Sequence, residues 1–354
     1  MKSTALIVFL GIVAVALSGC PQPSPPVSRA AALVAACTTS DLMNKVRFLQ
    51  TPFDPRMHSS PQPSNLAVPA NIQGDLQSVF AIAPMSITNK LCDLTYIFIN
   101  PTGCPNPMNC TLPTDQLIDN SWGLRGYRPG DPGKYIATSA GLWRNGGRAP
   151  RIGDYEAARL QVLLQQLNPN AQNWYTPSNT PPQFTSVAPN TPAMAVLAAL
   201  AHETGHVYWY DAFVKNRGGA INLNNFCGGN FYTPGSWGHN INIPPGRWID
   251  FGRPSGNQTH VPDYVFMLNS ALSQSNFGQA GAILYQTFQD PDLADVLATF
   301  SPDEDFVEAY EWYVLLNAAP PLSSLTIQIS GFSPYNVAGG MANKQGVARK
   351  MACF

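Results

Sequence analysis

The stretch Ala201-His-Glu-Thr-Gly-His-Val207 constrains this chain most, because it sets ligand-type polar residues at the end of an apolar run that has to be buried. From Ala193 to Ala201 the residues are apolar almost all round, which suits a helix enclosed by other elements rather than one lying at a surface. Thr191 and Pro192 open such a helix well: the threonine caps its first turn, and proline at the first position forfeits no hydrogen bond. The helix is expected to run to about Phe213. On it His202 and His206 stand four apart and share a face, with Glu203 beside the first. Two imidazoles and a carboxylate in an interior are costly unless something partners them. A metal ion is such a partner, and zinc takes neutral imidazole nitrogens while needing a third protein ligand from elsewhere. On a solvated helix the same letters would be only an i, i+4 polar patch, and the apolar flank argues against that.

A third ligand has several possible sources. The metzincin spacing asks for Gly and His after the second histidine, where this chain has Trp209 and Ala212, so that pattern is excluded. His239 and His260 could serve. The better source is Ser301-Pro-Asp-Glu-Asp-Phe-Val-Glu-Ala-Tyr310, a helix start capped by Ser301 that sets Glu304 and Glu308 four apart on one face. Inward carboxylates need cations or donors, and a zinc site supplies them. Asp303, Asp305 and Glu311 are expected on a solvated face of the same helix.

HETGH followed downstream by PDEDFVEAY resembles the gluzincin pattern of zinc-binding metallopeptidases, with the Glu-x-x-x-Glu arrangement also found in anthrax lethal factor. The resemblance implies one zinc held by His202, His206 and Glu304, with Glu308 orienting one of the histidines. It also implies hydrolysis of a peptide or protein substrate by a zinc-activated water, with Glu203 as the general base that passes the proton to the leaving amine. His260, Tyr264, His239 and Tyr310 are candidates for stabilising the transition state. The strand at Lys134 to Ser139 is expected to be the sheet edge along which the substrate backbone lies. In the segment between the two motifs, 98 positions from His206 to Glu304 (304 minus 206), three helical patterns and a large loop are expected.

The N-terminus reads as an address. Lys2, the apolar run Ala5 to Leu17, and Leu17-Ser18-Gly19-Cys20 resemble the signal and lipobox of bacterial lipoproteins. That resemblance implies a signal peptide over residues 1–19, lipid attached to Cys20, and a proline-rich tether over 20–35. A single zincin-like domain is then expected over 36–354. The location implied is the extracytoplasmic face of the cell envelope, anchored in the membrane through Cys20, at the outer membrane in a Gram-negative cell. An exported chain favours disulfides, and six of the seven cysteines remain after Cys20. Cys104 with Cys110 and Cys227 with Cys353 are the expected pairs.

Composition excludes other classes. A net charge of -1 with no basic run offers nucleic acid no electrostatic footprint. With 33 prolines and 28 glycines, long irregular loops are expected, Gly218 to Asn257 above all. The fold class expected is α+β, mainly helical with a small mixed sheet. Strands are expected at Leu94 to Asn100 and Gly133 to Ser139. Helical patterns run through Arg29 to Lys45, from an Asp154 cap to Leu167, Asp263 to Gln274, Gly278 to Phe288, Pro291 to Phe300 and Ser301 to Leu316. Thr51 to Ala70 and Asn168 to Asn190 read as loops. The alternative to an enzyme is a non-catalytic zinc-containing envelope lipoprotein that binds a glycan or protein partner.

Overall fold

A computed structural model describes residues 37–50, 65–100, 122–125, 134–143, 149–213, 221–222, 226–232, 242–243 and 264–354. Within Cys37–Phe354 the first part is α1 (Thr39–Met43), β1 (Val46–Leu49), β2 (Asn65–Leu66), α2 (Ala70–Ile82), α3 (Met85–Cys92), β3 (Tyr96–Asn100), β4 (Trp122–Arg125) and β5 (Lys134–Ser139). The middle is α4 (Ile152–Leu167), β6 (Gln183–Ala188), α5 (Pro192–Phe213), β7 (Ile221–Asn222) and β8 (Asn242–Ile243). The last part is α6 (Tyr264–Ser273), α7 (Phe277–Gln289), α8 (Pro302–Leu316), β9 (Ser324–Gln328), β10 (Tyr335–Asn336), α9 (Val337–Met341) and α10 (Gln345–Met351). The class is α+β, with Cys37–Phe354 forming one compact unit.

The main sheet has the order β2-β1-β3-β5-β4 and is mixed: β1, β3 and β5 run parallel, while β2 and β4 close its two sides antiparallel. Side chains alternate along β3, so Ile97 and Ile99 enter the large core with Ile136 of β5. Phe98 joins Leu49, Tyr135 and Ala137 in a smaller cluster of its own. A strand buried on both faces reads as a continuous apolar run, and this is why Tyr-Ile-Phe-Ile was legible.

Helix α5 lies against β4 and β5 and is packed by α2, α3, α4 and α8. It is enclosed, and from Met194 to Ala201 every residue is buried. Thr191 accepts the N–H of Met194 at 3.2 Å, the cap expected from the sequence. On the side of α8 away from the histidines, Phe306 sits among Tyr208, Trp209, Phe213 and Phe231 with ring centroids 5.1–5.7 Å apart.

Several expectations are corrected. Strand β5 is interior, not an edge, because β4 pairs with its free side from Trp122 to Arg125. Asp154 does not cap α4, which begins at Ile152 after Arg151; the aspartate sits in the first turn, where its charge suits the helix end. The segment 168–190 is no mere loop: it holds a short 3-10 turn at Pro169–Tyr175 and then β6. Strand β6 pairs antiparallel with β9, a partner more than a hundred residues away that local composition could not announce. Pro291 to Phe300 forms no α-helix, only a 3-10 turn at Leu297–Thr299. Asp295 accepts the N–H groups of Leu297 and Ala298 at 2.8 and 3.2 Å, a side-chain bond that competes with helix continuation. In the described part of the pattern at Arg29 to Lys45, Thr39–Met43 is helical, and residues up to 36 lie outside the described residues, the expected signal segment and Cys20 with them. The same holds for residues 51–64, while Asn65–Leu66 pairs with β1 and Ala70 opens α2. Most of Gly218 to Asn257 is likewise undescribed, apart from the β7–β8 pair and 226–232. The helices α6 and α7 and the start and end of α8 fall as expected, and α2 and α3 are additions.

Among the described residues two disulfides are present, Cys37–Cys92 and the expected Cys227–Cys353. The first ties the segment before α1 to the end of α3; the second ties the last residues to the segment after α5. Cys104 and Cys110 lie outside the described residues.

Candidate metal centre

Two helices build the site, and one glycine lets them approach. Opposite Gly205 of α5 stands Val307 of α8. A Cβ on the glycine would lie 3.1 Å from Val307 Cγ1 and 3.2 Å from its Cα, tighter than side chains normally pack. The glycine between the histidines therefore belongs to the helix crossing. Ser301 starts α8 by accepting the N–H of Glu304 at 3.3 Å, with Pro302 in the first turn. The first turn then delivers Asp303 and Glu304 directly beside the two histidines.

The carboxylate of Glu304 spans both imidazoles. Its Oε2 lies 3.8 Å from His202 Nε2, and its Oε1 lies 3.7 Å from His206 Nε2. These distances are too long for hydrogen bonds. They approach the spacing of about 3.3 Å expected between ligands that share one tetrahedral ion at about 2.0–2.1 Å. Glu304 Oε2 is buried and has no hydrogen-bond partner. A buried carboxylate oxygen without a donor is a costly arrangement, and an ion between it and the two Nε2 atoms would satisfy it. His202, His206 and Glu304 thus form a group that could hold a metal ion. The side chains of His202 and His206 keep 13% and 21% of their surface open against 5% for Glu304, so access is from the histidine side.

Behind each imidazole stands a further acid of α8. Glu308 Oε1 is 2.8 Å from His202 Nδ1, and Asp303 Oδ2 is 3.6 Å from His206 Nδ1. At 2.8 Å Glu308 is within reach to hold a proton on Nδ1 of His202 and leave its Nε2 free to ligate, whereas Asp303 at 3.6 Å acts on His206 by its charge. Burial pushes His202 down to about 4, and the Arg159 guanidinium beside it pushes the same way, so this ring is neutral near pH 7. Burial would lower His206 too, but Glu304 and Asp303 outweigh it and hold its proton affinity above the ordinary histidine value. Glu304 is pushed up to about 8 by burial, with Asp303 and Glu308 adding to it and His206 opposing. Glu203 is also raised by burial, against the pull of His202 and His206. A buried carboxyl with raised proton affinity next to an ion site is equipped to accept and return a proton.

Arg159 of α4 was not foreseen. It is buried among acids: its Nη1 donates to both oxygens of Glu311 at 3.2 and 3.1 Å, and its Nη2 bonds Glu308 and lies 3.0 Å from His202 Nδ1. Burial opposes its charge, and Glu308, Glu311 and Glu156 more than offset that, so its proton is held more firmly than in free arginine. A faint signal existed: Ile152, Glu156, Arg159 and Leu160 follow helical spacing, and all four are buried. The solvated face expected for Asp303, Asp305 and Glu311 is also corrected. Glu311 is buried against Arg159, Asp305 is buried against Lys350, and Asp303 backs His206. A helix enclosed on several sides has no solvated face to offer, and its acids find cations instead.

Of the remaining candidates, the Tyr264 hydroxyl donates to Asp290 at 3.0 Å and the Tyr310 hydroxyl to the Ser86 carbonyl at 3.5 Å. Each therefore has a partner outside the histidine cluster. His239 and His260 lie outside the described residues. No protein-family model, no curated protein and no solved structure matches this chain.

Proposed function

We propose that this protein is a gluzincin-type zinc peptidase with a zincin-like domain, tethered by a lipid at Cys20 to the outward face of a bacterial envelope. The observation that carries the reading is Glu304, whose two oxygens face the Nε2 atoms of His202 and His206 at 3.8 and 3.7 Å while one of them lacks any bond. Two imidazoles and a carboxylate are a donor set that zinc accepts, and three protein ligands leave a position open for chemistry. When bound there, the ion supplies a Lewis acid that polarises a carbonyl and makes water acidic near neutral pH.

The chain's own residues do the rest. His202 ligates as a neutral ring because Glu308 holds its Nδ1 proton, and Asp303 faces His206 Nδ1 from 3.6 Å as a charge. Glu203 takes the proton of the attacking water and hands it to the departing amine, a role for which burial tunes it upward. The more open side of the two rings is the direction from which a peptide approaches.

The test uses the full chain, with metal analysis and a peptide library presented to wild type and Glu203→Gln. One zinc per chain in both, with cleavage only in wild type, is expected. Zinc in both with cleavage in neither would replace the peptidase reading with that of a zinc-containing envelope lipoprotein that binds a partner. Should His239→Ala or His260→Ala empty the site while Glu304→Ala leaves it filled, the ligand set is wrong.

A further inference from the structure

A second cluster in this molecule has the geometry of a cation site. His202 Nδ1, Glu308 and Glu311 bring their ligand atoms together closely enough to hold a metal ion. His202 Nδ1 is 2.8 Å from Glu308 Oε1 and 3.4 Å from Glu311 Oε2. Glu308 and Glu311 are almost wholly buried, and Glu308 Oε2 has no bonded N–H donor, while the buried Asp295 carboxyl lies against Glu308. The Arg159 guanidinium lies in the midst of these groups, bonded to both carboxylates and 3.0 Å from the imidazole nitrogen. Glu156, one turn earlier on α4, is 3.8 Å from the same guanidinium.

We propose that Arg159 is a built-in cation that fills a latent divalent-ion site at Glu308 and Glu311 and so confines the exchangeable metal to His202, His206 and Glu304. The chemistry favours a guanidinium for that task. It cannot lose its proton near neutral pH, it does not exchange, and its planar fork binds two carboxylates at once. A free ion in the same place would compete for His202 through Nδ1. A neutral imidazole has one lone pair, so capture at Nδ1 would withdraw Nε2 from the first site. Of the two neighbours of Nδ1 the nearer is an acceptor, Glu308 at 2.8 Å against the Arg159 donor at 3.0 Å, and a proton held there by Glu308 leaves Nε2 for the first site. Arg159 is thus a positioning residue that holds Glu308 and Glu311 in place, and it sets the number of ions.

This inference rests on the proposed zinc site only for the role of Nε2; the latent site itself is counted separately. Zinc-loaded full-length wild type and Arg159→Ala are each dialysed against Mn2+, a cation suited to carboxylate oxygens, and both metals are measured. The expected result is no Mn2+ in wild type and one per chain in Arg159→Ala. Adding Glu308→Gln and Glu311→Gln to that variant should weaken the Mn2+ at least tenfold while leaving the chain folded. Equal Mn2+ in wild type and Arg159→Ala overturns the proposal, as does Mn2+ that survives the two glutamine changes. If Arg159→Ala unfolds without metal, refolding on Mn2+ addition supports the inference, and failure to refold at any Mn2+ concentration overturns it. Wild type that takes up no zinc defeats the peptidase reading instead, and the difference in Mn2+ between the two proteins still decides this one.

Discussion

Helix α8 buries acids on two sides, and the two are neutralised in different ways. On one side Asp305 meets the Lys350 ammonium of α10 at 2.7 and 2.6 Å, with both side chains fully enclosed. Burial pushes Asp305 up to about 6 even so, with Lys350 opposing. On the other side Glu308 and Glu311 have the Arg159 guanidinium, but Glu304 has only two imidazoles, neither within bonding distance, and a bare oxygen. One side is closed by the chain itself. The other is short of positive charge, at the place where the histidines are still open to solvent. A charge pair made for architecture satisfies its own members, whereas a site made for an ion leaves a deficit of the ion's size.

The difference can be broken from the closed side first, where the largest effect is expected. Lys350→Met removes one partner of a fully buried pair and should cost about 3–5 kcal/mol in chemical denaturation. Adding Asp305→Leu should restore most of it. In contrast, Glu304→Gln in metal-free protein should leave stability unchanged near neutral pH and raise it above about pH 8, where Glu304 would otherwise give up its proton without a donor beside it. Next comes the acid behind the first histidine. Glu308→Gln should weaken zinc about 10–100-fold, read by competition with a chelator, with the fold intact. Gly205→Ala forces a methyl against Val307 and should cost about 1–2 kcal/mol while also lowering zinc affinity, because the crossing that sets the ligands is spread. The smallest effect is that of Ser301→Ala, about 1 kcal/mol from loss of the α8 cap.

How much of this was legible follows from the range of each interaction. Helices α5 and α8 could be read because their signals are local: a cap, a proline in the first turn, an apolar run and ligand residues at fixed spacing. The same holds for β3 and β5. The Cys227–Cys353 pair forms as expected. What escaped depends on distant partners. Strand β6 mixes exposed Gln183, Thr185 and Ser186 with half-buried Phe184 and Val187 and becomes a strand through β9. Arg159 looks like any surface arginine until α4 is laid against α8, 149 positions away at Glu308 and 152 at Glu311. Asp305 and Glu311 are buried rather than solvated for the same reason, since the burial of a charge is decided by what packs over it. At Pro291 to Phe300 the apolar spacing was present, but Asp295 turned the backbone aside.

The central claim is that the deficit beside Glu304 is filled by a metal ion. It is tested most directly by dialysing wild type and Glu304→Ala against the same limiting free zinc and measuring zinc per chain. The account predicts about one in wild type and less than about a tenth of that in the variant, with both proteins folded. Equal zinc in the two, or none in wild type, would contradict it.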